Sequence, residues 1–276
     1  MSAQTASQYG FTAVAGTYSE ITGTSFTAVQ SDDVLPAATI PLNFNFTFCG
    51  VSYNSVRAGS NGYMVFTTTA GQTAGNDVGN LNTVKPALFW LWDDLDGATG
   101  TAVYTTTGVA PNRVFTMQFK NWEWNWSTVG PNVSVQVILY ETTNVIEYVY
   151  RQESAAGNPL GSSGATIGIC DANATATYLT LNNATAAPVA SSTTFTTNIG
   201  SKPASGQIYR FTPPVNCSAA TGLPTAGTVT ASPGSVCVSG NVTLAFTPAT
   251  AMPPVVGITY KWQVAPAAAG PFTDIP

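Results

Sequence analysis

IPLNFNFTFCGVSYNSVRAGSNGYMVF, residues 40–66, decides the fold class of this chain. Leu42, Phe44, Phe46 and Phe48 alternate with Asn43, Asn45 and Thr47, the period of two expected of a strand with one face buried. Cys49-Gly50 interrupts the run, and Tyr53 to Arg57 reads as a second strand. Ser60-Asn61-Gly62 marks a tight turn because Asn and Gly tolerate positive φ, after which Tyr63 to Phe66 resumes the sheet. Closely spaced strands joined by turns specify an all-β architecture, here a large antiparallel β-sandwich.

The pattern extends in both directions. Tyr9 to Val14 and Ser25 to Val29 are short alternating pieces, and a polar stretch, Thr67 to Asn82, leads to Ala87-Leu88-Phe89-Trp90-Leu91-Trp92. That uninterrupted apolar run is too short for a helix and suits a strand buried on both faces. Thr101–Thr105, Arg113–Lys120, Val133–Tyr140, Val145–Tyr150, Thr166–Cys170 and Gln207–Phe211 read as further strands. No segment sustains a 3.6-residue apolar period, which argues against long helices.

Composition narrows the class. Of 276 residues, 44% are hydrophobic and only 8% charged, with a net charge of −5. The eight Lys and Arg are scattered, so there is no basic patch for nucleic acid or for an acidic membrane surface. No run approaches the ~18 apolar residues of a membrane span, so membrane insertion is not expected. Ala3-Gln4 resembles the start of a mature exported chain, with localisation expected to be secreted or at the cell surface. Four cysteines, Cys49, Cys170, Cys217 and Cys237, form no CxxC and favour two disulfides over a metal knuckle. Their spacing suggests Cys49 with Cys170, although four cysteines allow three connectivities.

Pro213-Pro214 closes a first module, residues 1–213, and residues 214–224 read as a linker. Residues 225–276 then offer three short strands, 227–233, 241–246 and 257–263, the last carrying Trp262. They resemble the A, B and C strands of an immunoglobulin-like sandwich, in which such a Trp packs in the core. A full domain of that type needs ~100 residues, so the expectation is a partial one.

The ordered pieces IPLNFNF (40–46), SNGY (60–63), FWLWDD (89–94), VIEY (145–148) and ATIGI (165–169) resemble nidogen-like extracellular β-sandwich modules of large exported proteins of the Bacteroidetes type. The C-terminal piece resembles the Ig-like repeats that follow such modules in gliding adhesins and type IX secretion cargo. The resemblance implies a long cell-surface polypeptide, and implies no catalytic activity.

Three constellations are candidates for chemistry. With no histidine, Ser-His-Asp triads, Cys-His pairs and the usual zinc sites are excluded. Carboxylate pairs drawn from Asp93, Asp94, Asp96, Glu123, Glu141, Glu147 and Glu153 leave only a glycosidase arrangement, and no enzyme is expected. Asp93, Asp94 and Asp96, on a loop ended by Gly97, offer hard oxygens to calcium; the alternative is that they cap backbone amides in a turn. Trp122, Trp124 and Trp126 occupy even positions after Phe115, Met117 and Phe119 on odd ones. Either three indoles face outward as a ligand-binding stripe, or a bulge near Lys120 returns them to the core. Lys120, Lys202 and Lys261 are the candidate donors for an intramolecular isopeptide bond.

The function expected from these readings is a non-catalytic extracellular structural or adhesive surface protein that partners copies of itself or other surface proteins, with strand or edge complementation as its route into a fibre. The alternative is a carbohydrate-binding module that meets glycans with the aromatic stripe, with or without calcium, and no other cofactor is expected.

Overall fold

The computed structural model describes residues 4–127, 130–155 and 164–214, and the backbone of residues 228–232, 243–247, 263–264 and 273–274. The chain forms two compact units, Met1–Val215 and Asn216–Pro276. In the second unit, Thr228–Ser232 pairs antiparallel with Thr243–Thr247, and Gln263–Val264 with Thr273–Asp274. Cys217, Cys237, Lys261 and Trp262 lie outside the described residues.

Among the described residues, fifteen strands build the first unit: β1 (Gly10–Ala15), β2 (Thr24–Ser25), β3 (Ile40–Phe48), β4 (Val51–Gly59), β5 (Tyr63–Val65), β6 (Ala87–Trp92), β7 (Leu95–Asp96), β8 (Thr101–Thr107), β9 (Val114–Trp124), β10 (Val133–Tyr140), β11 (Ile146–Gln152), β12 (Thr166–Cys170), β13 (Tyr178–Leu181), β14 (Ala190–Ser191) and β15 (Gln207–Thr212). One sheet runs β1-β15-β11-β10-β9-β8-β2, with β7 also paired to β9; the other runs β14-β13-β12-β6-β5-β4-β3. Every strand pair is antiparallel, and the two sheets enclose one main core, so the chain is the all-β sandwich that the alternation in residues 40–66 predicts.

Leu42, Phe46 and Phe48 are fully buried and Phe44 nearly so, while Asn43 and Asn45 are exposed. Strand β6 is buried along its whole length. Leu88 and Trp90 enter the main core, whereas Ala87, Phe89 and Trp92 enter a second cluster with Leu81 and Val84 of a short helix, α1 (Leu81–Val84). That helix begins in the last two residues of the stretch expected to be a polar loop. Its two apolar residues, three apart, cover the outer face of β6.

Two other departures have local causes. Beyond Thr24–Ser25, the expected strand 25–29 becomes a 3-10 turn over Thr27–Val29, which turns both Phe26 and Val29 inward. Residues 16–23 form a strap across the outer face of the first sheet. Along it, Gly16 N–H donates to Gly206, Gln136 donates to the Ser19 carbonyl, Glu20 pairs with Lys120 and Arg151, and Ile21 N–H donates to Gln118. The strap covers Gln118 and Gln136, whose side chains also bond one another.

Cys49 and Cys170 are buried free thiols, so the expected bond between them is not formed. Cys49 sits in the β3–β4 turn at φ 49° and packs in the main core, while Cys170 faces the second cluster. Burial pushes both thiols well above the usual range, which leaves little thiolate for exchange.

Candidate functional site

The turn Ser60-Asn61-Gly62 is a hub between the two sheets. Its Ser60 carbonyl accepts from the Trp122 indole at 2.9 Å, and its Gly62 carbonyl accepts from both Trp90 N–H and Leu91 N–H. Asn61 Oδ1 accepts from Leu95 N–H at 3.1 Å, and its Nδ2 donates to Asp33 at 2.8 Å. Gly62 has φ 79°, and a Cβ there would lie 1.9 Å from the Leu91 carbonyl oxygen, so only glycine fits.

The tryptophans settle around this hub. Trp122 pairs with Val133 while Phe119 pairs with Val135, so β9 carries one residue more than β10 over that span. The extra residue is accommodated at Lys120-Asn121, with Asn121 at φ 62°, and the inward face moves from odd to even positions. Trp122 and Trp124 are consequently 0% exposed, and only Trp126, at 60%, faces solvent. The three-indole ligand stripe is thereby corrected: the bulge returns two of the rings to the core. Gly97 and Gly100 lie flat against Trp122, since a Cβ on either would sit 2.3 or 2.7 Å from its ring. Gly97 thus makes room for an indole rather than closing an ion-binding loop.

The acids after β6 separate. Asp93 is buried, accepts from the Trp124 indole at 2.8 Å and caps Asp94 N–H at 2.9 Å. Asp96 caps Ala98 N–H at 2.7 Å. Asp94 instead meets Asp32 and Asp33, and carboxylate oxygens of these three lie within 4.8 Å of one another. The Asp93/Asp94/Asp96 calcium set is therefore not the cluster that forms. Among the described residues Asp32, Asp33 and Asp94 are the group whose oxygens could hold a cation. Partial burial, then Asp33, Asp32, Asp93 and Asp96, push the Asp94 carboxyl up to about 6. Asp32 is raised by burial and by Asp33 and Asp96. Asp32-Asp33 is too far from Asp94 in sequence for spacing to reveal the cluster. The only local signal is the adjacent pair of acids itself, brought in by an isolated bridge between Asp32 and Asp96.

The remaining acids hold the sandwich together. Glu141 takes Arg113 through both guanidinium and backbone N–H, Glu147 takes Arg210 and Tyr140, Glu153 takes Arg151 and Ser134, and Glu123 accepts from Thr99. Arg113 holds the Glu141 carboxyl down at about 2. Lys120 bonds Glu20, and Lys202 bonds main-chain carbonyls of Glu153 and Ala155, so neither meets the carboxamide that an isopeptide bond needs.

Among the described residues no helix is long and apolar enough to cross a membrane. No curated protein and no solved structure matches the chain. A family model described as NIDO related matches residues 8–213, from the foot of β1 to the end of β15, in agreement with an all-β module typical of extracellular, non-enzymatic domains. Because that match spans most of the chain and the whole of its sandwich, this protein belongs to the NIDO-related family.

Proposed function

We propose that this protein is a non-catalytic extracellular module of a surface adhesive polypeptide, working by structure and self-association, of the kind carried by exported Bacteroidetes adhesins. The observation that carries this reading is how the carboxylates are used. Glu141, Glu147 and Glu153 each clasp an Arg, Asp93 supports an indole, and Asp96 caps a turn. Each of these acids is engaged by a donor of the fold itself, the use expected of structural carboxylates. The NIDO-related match over residues 8–213 supports the same reading.

Electron microscopy of the full chain in negative stain, across concentration and ionic strength, tests it. Discrete assemblies of more than one copy are expected. Dispersed single copies under every condition would remove the self-association part. Trp126, 60% exposed at the end of β9, favours a second reading in which a glycan stacks on that single ring. A glycan array with wild type beside Trp126→Ala decides it: a sugar bound by wild type and lost by the variant supports the reading, and equal or absent binding removes it.

A further inference from the structure

Among the described residues the sandwich ends in four edge strands, and three of them are poor templates for another strand. Strands β2 and β14 have two residues each, too short to template another strand. The third, β3, is long but broken: it carries Pro41, and its pairing with β4 is irregular between Pro41 and Phe46. Side chains of the opposite sheet also occupy its free backbone groups. Thr106 donates to the Leu42 carbonyl, Arg113 donates to the Asn43 carbonyl, and Asn144 accepts from Thr47 N–H.

The fourth edge, β1, has none of these protections. Gly10–Ala15 pairs with β15 in unbroken register over all six residues, with no proline, no charge and no bulge. Gly16 N–H bonds the Gly206 carbonyl, so by the alternation of an antiparallel ladder Gly10, Thr12 and Val14 turn their backbone groups toward β15. Phe11, Ala13 and Ala15 turn theirs away, and no described residue bonds them. Small side chains flank this edge, and the one large ring, Phe11, packs back on Tyr209 and Phe211.

Resting on the self-association reading above, we propose that β1 is the association edge and that its occupant is β1 of a second copy of this chain, antiparallel across a two-fold axis. A neutral strand is self-complementary in this arrangement, because no like charges are brought opposite one another. With Ala13 facing Ala13 of the other copy, Phe11 faces Ala15, and about six backbone hydrogen bonds form. Since β2, β3 and β14 are poor templates, association through β1 gives two copies.

Sedimentation velocity of the full chain from micromolar to near-millimolar concentration, with hydrogen exchange at both ends of the range, tests the assignment. Expected are a shift from one copy to two and at least tenfold slower exchange of the Phe11, Ala13 and Ala15 amides in the concentrated sample. Ala13→Pro removes an outward N–H and leaves the β1–β15 bonds intact, so it should remain one copy with an unchanged thermal transition. Thr12→Lys, on an exposed side chain, should do the same if the proline variant fails to fold. A single copy at all concentrations, a pair that survives both substitutions, or protection of those amides with no change in mass would overturn the assignment. Larger assemblies that persist in both variants would overturn it while leaving self-association intact. A pair dissolved by either variant, with nothing larger, would uphold it against the fibre.

Discussion

Asp93 and Asp94 are neighbours in sequence and opposites in structure. Asp93 lies beneath the surface with the Trp124 indole and the Asp94 amide as donors, in a layer where Trp122 is sealed by Ser60, Gly97 and Gly100. Asp94 lies one residue farther on, in a ledge of like charges with Asp32 and Asp33, and its carboxyl is pushed up to about 6. The layer gives each of its two buried indole N–H groups, of Trp122 and Trp124, an acceptor, while the ledge carries electrostatic repulsion. A buried acid with donors can be a structural part, and a half-buried acid beside two others is a cost that the layer beneath has to support.

Substitutions in the layer should therefore destabilise strongly and those in the ledge weakly, or with the opposite sign. Trp122→Ala should cost about 3–5 kcal/mol in denaturant unfolding, since it opens a ring-sized cavity and strands the Ser60 carbonyl. A cost below ~1 kcal/mol would mean that the layer is not packed as described. Gly62→Ala should cost on the order of 3 kcal/mol, combining left-handed strain with a clash against the Leu91 backbone. Trp124→Phe keeps most of the ring and deletes the bond to Asp93, for a loss of about 1.5–3 kcal/mol.

The ledge should behave differently. Millimolar calcium, compared with chelator, should raise the thermal midpoint of wild type, by about 1.4 kcal/mol of linkage at ten times Kd, and leave Asp94→Asn unmoved. An identical midpoint with and without calcium would retire the ledge as a cation site. Asp94→Asn alone should stabilise by up to about 0.5 kcal/mol at pH 7. The sign follows from its raised carboxyl. Folded Asp94 holds its proton to about 6 while the unfolded residue loses it near 3.8, so the native state binds more protons and loses stability as pH rises through that window. The advantage of Asp94→Asn over wild type should thus be absent below pH 4, grow toward pH 6 and level off by pH 7. An advantage that does not change with pH would exclude the charge cluster as its cause.

The opening alternation made β3 legible, and the apolar run 87–92 was readable as a doubly buried strand, because both are local patterns of period two or of uniform burial. The bulge in β9 was visible as a switch from odd to even aromatic positions. Its effect on Trp122 and Trp124 was not, since a switch of face reads the same whether the new face is wet or dry. Asn61-Gly62 was readable as a turn, yet its role in holding Leu95 and Asp33 depends on partners at distant positions in the chain.

By itself the sequence determined the all-β class, most of the strands and the lack of any histidine chemistry, because these follow from residue type and short-range periodicity. Tertiary structure alone decided which acids meet, which indoles are sealed, that Cys49 and Cys170 face different clusters, and that β1 is the one unguarded edge among the described strands. Those outcomes are set by sheet order and by the register of strands far apart in the chain. A one-residue bulge or a bridge such as Asp32 to Asp96 redirects side chains without leaving a local pattern to read.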